Sequence, residues 1–407
     1  MPGASHGVPS CLAVLNPNLP GSEYPDVDRG LAAVGVAFKL ALAVTQRLGG
    51  NENAVYRLLD LVALATIADI APLKGENRVL ARYGLRMMAE STLPGLRALV
   101  RAAGLDDKPL TAGRVGFILA PRLNAVGRLG HALRGVELLT TDDEHLANEI
   151  ARELEELNRR RQEIDRATLA EARRALDRID LDATYGLVLH GEGWHPGVIG
   201  IVASRIVEET ARPAVLVAVD NGVGKGSGRS IPAFDLHSAL AECDAVGLFQ
   251  RFGGHRAAAG VTLDASKLEA FAERFNAVAR ERLTPNDLVP ELRVDLELPI
   301  DDANAELEAL LRHFEPFGVG NAAPMLVSRG VRLLGAPKRV GEDGLRLRLD
   351  TATGPSEAIG WGLASRASAL VEAGAVDIAY RLERDEFRGQ SRLQARLVDV
   401  APAGAAR

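Results

Sequence analysis

A change of grammar near residue 185 constrains the fold more than any other feature. Before it, apolar residues recur at three- and four-residue steps, the period of helices that bury one face. "AAVGVAFKLALAVTQRLGG", "AVYRLLDLVALATIADIAPL", "ENRVLARYGLRMMAES" and "AGRVGFILAPRLNAVGRLGHALRGVELL" all read this way. A long amphipathic helix follows at about 142–178, with a stripe of Leu146, Ile150, Leu154, Leu157, Arg161 and Ile164. Arg161 is the one polar member of that stripe. The helix reads as a solvated connector, since clean heptads are too few for a coiled coil. Then "YGLVLHGEGW", "PGVIGIVASRIVEET" and "PAVLVAV" spell strand, helix, strand, with Pro196 at the helix mouth. That is a βαβ unit. From about 290 the period becomes two, in "ELRVDLELPI", "VRLLGAPKRV", "LRLRLD", "SEAIGWGL", "VDIAYRLER" and "SRLQARLVDV". Short strands broken by turns predict a small barrel. "NAELEALLRHFEPFGVGN" reads as a helix and loop packed onto it.

Composition narrows the class. The net charge of −6 rules out a protein that binds nucleic acid through its overall charge, so any polyanion site is a local patch. Only six of the 48 basic residues are lysine, which leaves many planar arginine forks suited to phosphate. Two cysteines, Cys11 and Cys243, cannot build a disulfide framework or a zinc site, and a reducing cytoplasm is expected. No signal peptide or membrane span is expected either.

Two glycine-rich stretches carry candidate chemistry. In "GKGSGRSI" the glycines let an anion approach the backbone, while Lys225, Gly226, Ser227, Gly228 and Arg229 offer charged and neutral donors. The order does not fit a Walker A loop. In "FGGHRAAAG", Gly253, Gly254 and His255 offer the same access plus an imidazole. Each stretch read alone is equally a tight turn. As a pair in one α/β unit they suggest a phosphate-ester clamp. His195 stands beside a helix N-terminus, as an anion donor or a cap. In "APRLNAVGRLG", Arg122, Asn124 and Arg128 could flank a phosphate backbone or be solvated. Asp69 lies in the apolar run "LATIADIAPL", where a carboxylate is paired, ligates a metal or caps a helix. Asp60 is a weaker candidate.

In this order the motifs resemble the RecJ-type exonucleases of the DHH phosphoesterase superfamily. The resemblance rests on "LAVLNPNLPGSEYP", "LAAVGVAFKLA", "DLVALATIADIAPLKGENRVL", "LAPRLNAVGRL", "WHPGVIGIVASRIVEE", "KGSGRSI", "FGGHRAAAG" and "FEPFGVGNAAP", across about 12–400. It implies an α/β fold: part of a DHH catalytic domain (1–140), a connecting helix (141–180), a DHH-associated domain with the phosphate loops (181–286) and an OB-type β-barrel (287–402). It implies 5′–3′ hydrolysis of single-stranded DNA in repair and recombination. Two Mn2+ or Mg2+ ions would activate water and stabilise the leaving oxygen. Asp69 matches the family's last metal aspartate, and His255 joins it as a catalytic candidate. The family's Asp-x-Asp and Asp-His-His motifs are not found. His6 does not map onto the triplet, so most metal ligands are expected to be missing. The alternatives are a non-catalytic single-strand-binding module and a small-substrate phosphoesterase. A monomer is expected, with a single-strand-binding protein or a helicase as possible partner.

Overall fold

The structure is a computed structural model and describes residues 11–19, 21–25, 28–387 and 390–404. The first part is helical: α1 (Ala33–Arg47), α2 (Glu52–Tyr56), α3 (Leu59–Ala68), α4 (Gly75–Ala89), α5 (Pro94–Ala102), the single turn α6 (Ala112–Arg114), α7 (Ala120–Leu129) and α8 (Leu133–Thr140). A π-helical stretch, Val115–Leu119, leads into α7. Pro121 follows this stretch at the second position of α7. Gly130 ends that helix, so the run expected to continue through 140 is broken. The connector α9 (Glu144–Leu176) is capped by Asp143, whose carboxylate accepts from the N–H groups of His145 and Leu146.

Next come β1 (Leu187–Glu192), α10 (Ile199–Thr210), β2 (Ala214–Asp220), β3 (Val223–Arg229), α11 (Leu236–Asp244), β4 (Arg251–Gly254), β5 (Ala258–Asp264) and α12 (Leu268–Arg282). The remainder holds β6 (Leu296–Glu297), α13 (Ala305–Leu311), β7 (Leu326–Arg332), β8 (Lys338–Val340), β9 (Gly344–Thr351), β10 (Gly354–Gly360), α14 (Ala367–Leu370), β11 (Ala375–Phe387) and β12 (Gln390–Pro402). The chain forms two compact units. One holds the described residues up to Ser91, Pro109–Phe117 and those from Leu292; the other holds Thr92–Lys108 and Ile118–Glu291.

In the second unit five strands lie in the order β1-β2-β3-β5-β4. β1 and β2 are parallel, as the βαβ unit requires, and the other pairs are antiparallel. Alternation in β2 feeds two cores. Ala214, Leu216 and Ala218 pack with Val202 and Ile206 of α10 and Leu169 of α9. Val215 and Val217 pack with Val261, Leu263 and the α12 phenylalanines Phe271 and Phe275. The two glycine-rich stretches, expected as loops, are strands: the first is β3, and the second is β4, a turn and β5. Glycine is normally depleted in strands. Here neighbouring side chains fill the space above it.

In the first unit α3 and α4 cross closely at Gly84, where a Cβ would lie 2.1 Å from the Leu59 carbonyl oxygen. The "FEPFGVGN" loop is fastened to α4: Arg78 donates to the carbonyls of His313 and Glu315, at 3.0 and 3.3 Å. The Leu73 N–H donates to Val319 O at 2.7 Å. The second sheet has the order β6-β7-β11-β12-β10-β9-β8. Leu345, Leu347 and Leu349 point into its core and Arg346 and Arg348 point away. Leu307 and Leu311 of α13 pack on this core, as expected. The expected barrel is not closed. Its edge strands β6 and β8 have two and three residues, too short to zip together. A single bridge, Leu333 to Leu349, joins the end of β7 to β9.

No helix among the described residues is long and apolar enough to cross a membrane. Both cysteines are free; Cys11 is exposed and Cys243 is buried. Burial pushes the Cys243 thiol up to about 12. At pH 8 a thiol reagent should therefore titrate one cysteine in the folded chain and two after denaturation. Rapid reaction of both would mean that α11 does not seal Cys243.

Candidate phosphate-binding site

The parity of β3 divides its residues by role. A Cβ on Gly224 would lie 2.8 Å from Val217 Cγ1, one on Gly226 2.5 Å from Val261 Cγ2, and one on Gly228 2.9 Å from Leu236 Cδ2. These glycines exist because valines and leucines cover them. The residues between them, Lys225, Ser227 and Arg229, point to the opposite face, toward α10. There a Cβ on Gly200 would lie 2.8 Å from Ser227 Oγ and 3.0 Å from Arg229 Nη2. Glycine at position 200 is what lets the hydroxyl and the guanidinium lie over the first turn of α10.

Strand register extends this face. Lys225 pairs with Thr262, which pairs with Arg251. Ser227 pairs with Gly260, which pairs with Gly253. Arg229 pairs with Ala258, whose backbone exchanges hydrogen bonds with His255 at 2.8 and 3.3 Å. Paired residues in a sheet share a face. The middle row thus ends in two bare glycines, both exposed, with nothing within 4 Å of a Cβ built on Gly253. A strip of open backbone runs between a Lys225–Arg251 rim and an Arg229–His255 rim. The two stretches of the expected clamp are neighbouring strands of one sheet. Gly254 has φ +149° and packs against Ala259, so it shapes the β4–β5 turn. Arg251 stands at the start of the second motif, and sequence reading passed over it. The register with Lys225 is the signal that finds it.

The arginines divide into committed and available. Arg122, expected to flank a phosphate, is turned inward: it donates to Glu155 at 2.5 Å and to the Ile118 carbonyl at 2.6 Å. It bolts α7 to α9. Asn124 is exposed on α7. Arg128 is exposed and donates to the Gly197 carbonyl at 2.7 Å. Arg229 is half-buried and donates to Gly228 O at 2.8 Å and Ser227 Oγ at 3.2 Å. Burial lowers its guanidinium pKa from the ordinary value, and the nearby charge of Arg128 lowers it further. Two guanidiniums that repel each other while bonded to neutral acceptors make this the candidate anion site. His195 serves its own loop: its Nδ1 accepts from the Gly197 N–H at 3.0 Å.

Asp69 is exposed and stands at the C-cap of α3, a helix end, as one of the three expected alternatives had it. After it the chain turns through Ile70 at φ 57°, while Ala71 N–H donates to Thr66 O at 3.1 Å and closes the helix end. Asp60 is the buried carboxylate: it accepts from Ser91 Oγ at 2.6 Å and from the Leu61 N–H at 2.7 Å. Among the described residues no three His, Cys, Asp or Glu side chains converge to hold a metal. Divalent ions of the Mn2+ or Mg2+ kind want about six ligands, so Asp69 with its described neighbours does not form such a site. His6 lies outside the described residues.

The first unit presents a second cationic face. Lys338, Arg346, Ile359, Arg396 and Arg381 pair in succession across β8, β9, β10, β12 and β11. Arg396 stands 5.8 Å over the ring of Trp361, an exposed indole. None of the four cations in that row forms an ion pair with a described carboxylate.

An α/β domain with an open cationic strip, followed in sequence by a cationic β domain, is the class that the fold defines, and comparison with known proteins sharpens it. Residues 183–281 match the DHHA1 domain and residues 294–399 the RecJ OB domain. The chain is 35% identical to the single-stranded-DNA-specific exonuclease RecJ of Bacillus subtilis, covering 97% of this chain and 49% of that one. With RecJ of Salmonella typhimurium the identity is 37%, over 97% of this chain and 71% of that one. The crystal structure of RecJ with Mn2+ from Thermus thermophilus superposes with a TM-score of 0.80 at 36% identity, over 94% of this chain and 55% of that one. This chain belongs to the RecJ family, and it spans about half the length of the Bacillus and Thermus relatives.

Proposed function

We propose that this chain serves 5′–3′ exonucleolytic cleavage of single-stranded DNA in repair and recombination, and that its own residues grip the strand. The carrying observation is the bare-backbone strip on β5 and β4, with Arg229, Ser227 and Arg128 at one end and Lys225 and Arg251 along its rim. A single phosphodiester backbone fits a strip one residue wide; a duplex does not. Arg229 makes the charge-assisted bonds and Ser227 adds a neutral donor. His255 lies on the same rim as Arg229. The second sheet has strand-binding features of its own: Trp361 offers a stacking platform and the Lys338–Arg381 row offers charge. Such a stacking surface favours a strand over a mononucleotide ester as substrate.

The metal chemistry of the family needs more carboxylates and imidazoles than converge among the described residues. That observation favours a second reading, in which this chain binds the strand without cutting it. Two measurements separate the readings. One is anisotropy of a labelled 20-mer, its duplex and a mononucleotide. The other is release of 5′ nucleotides with Mn2+. Tight single-strand binding without nucleotide release selects the binding module. Arg229→Ala should weaken single-strand binding by about 1.5–3 kcal/mol, the worth of a hydrogen bond to a charged group. Unchanged affinity in that variant, or equal affinity for duplex, would remove the strip from the interface.

A further inference from the structure

The long helix carries one polar residue in its apolar stripe that the strand-gripping site does not yet use. Glu155, Asn158, Arg161 and Asp165 follow one another at three- and four-residue steps, so they share a face of α9. Glu155 reaches α7 through Arg122, and Asp165 reaches α10 through Arg205 at 2.9 Å. Arg161 lies between those two contacts. Its Nε and Nη2 donate to Asn158 Oδ1 at 3.3 and 3.0 Å, and among the described residues no carboxylate forms an ion pair with it. Asn158 is itself buried, which fixes where the guanidinium stands.

Charge accounting around this face is uneven. Arg122 is matched by Glu155 and Arg205 by Asp165. Arg128, Arg161 and Arg229 are left, each bonded among the described residues only to neutral oxygens. Burial lowers the pKa of Arg161; the Asp165 charge opposes this, and those of Arg128, Arg205 and Arg122 reinforce it. Arg128 acts in this way on both Arg161 and Arg229. Three guanidiniums without an ion-pair partner among the described residues therefore share one neighbourhood. A terminal phosphate dianion and the adjacent phosphodiester together bring three negative charges.

We propose that Arg161 is a third phosphate-binding arginine, and that it holds the phosphodiester next to the phosphate gripped by Arg229 and Arg128. The proposal rests on the phosphate-site reading above and deepens it: the connecting helix is part of the binding surface. Arg161's unshared Nη1 is the donor left for the ligand.

The test uses two 5′-phosphorylated single strands, one with ordinary linkages and one whose first linkage is an uncharged methylphosphonate. Binding is read by anisotropy for the whole chain and for Arg161→Gln, Arg161→Lys and Arg229→Ala. On the ordinary strand Arg161→Gln should lose roughly tenfold to a hundredfold in affinity. Its salt slope should flatten by about 0.7, one phosphate contact. On the methylphosphonate strand it should match the unsubstituted chain, while Arg229→Ala still weakens binding. Arg161→Lys should fall between on the ordinary strand, because it keeps the charge and loses the fork. It decides the matter if the glutamine variant fails to fold. Equal losses on both strands, or none on either, would overturn the role of Arg161. If Arg229→Ala is also silent on both strands, the phosphate-site reading itself falls.

Discussion

Gly226→Val should cost the fold about 3 kcal/mol, the upper end for overpacking a filled core. A Cβ there would lie 2.5 Å from Val261 Cγ2 and 3.3 Å from both Val215 Cγ1 and Val217 Cγ2. Valine then adds two further carbons into the same space. Against a typical stability of roughly 5–15 kcal/mol this is a large fraction. Pairing it with Val261→Ala should recover much of the loss, because the two residues compete for one volume and couple in a double-mutant cycle. Gly253→Ala is the contrast. Nothing lies within 4 Å of a Cβ there, so stability should hold while single-strand binding weakens. Urea denaturation of the four variants, with anisotropy alongside, reads both quantities. If Gly226→Val keeps wild-type stability and loses only DNA affinity, its glycine serves an anion nest and not the core.

That experiment also marks where the sequence stopped being legible. Glycine at 224, 226 and 228 alternates with period two, which is a strand signal in plain view. Glycine's low strand propensity outweighed it, because propensity describes a residue alone and not the valines of β2 and β5 that fill the space above it. The helical first part, the βαβ unit and the long connector were readable because their periods are local. Barrel closure was not, since it depends on whether the edge strands reach each other, and β6 and β8 are too short.

Site residues follow the same division. Ser227, Arg229 and Arg128 were visible as residue types in a short motif. Arg251 became a candidate only through its register with Lys225 across two strand pairs. Asp69 and Asp60 differ in a way the apolar run does not announce: nine residues apart along one helix, the first is exposed and the second buried. Helix packing decides which face is covered, and α4 covers the Asp60 side. Arg122 lost its expected role to Glu155, a partner 33 residues away that no local pattern announces.

Asp165→Asn should move stability and binding in opposite directions. The Asp165 side chain is 2% exposed, its Oδ2 is 2.9 Å from Arg205, and its Oδ1 has no hydrogen-bond partner. Among the described residues it is the carboxylate whose charge acts most on Arg161. Removing one member of a buried ion pair costs roughly 3–5 kcal/mol; the low end applies here because Arg205 is partly open to water and can be solvated. The variant then holds four guanidiniums without a counter-charge instead of three. An anion should relieve their repulsion more than it does in the unsubstituted chain, so single-strand affinity should rise. Stability measured with saturating strand should recover part of the deficit, since a ligand bound only by the folded state adds RT ln(1 + [L]/Kd). Urea denaturation with and without the strand gives both changes from one set of curves. A stability gain would mean that the cost of burying the carboxylate exceeds its attraction to the arginines. Weaker binding would mean that Asp165 acts by holding Arg205 and α10 in place. Only a less stable, tighter-binding variant fits a carboxylate that keeps the arginine cluster together while leaving it short of negative charge.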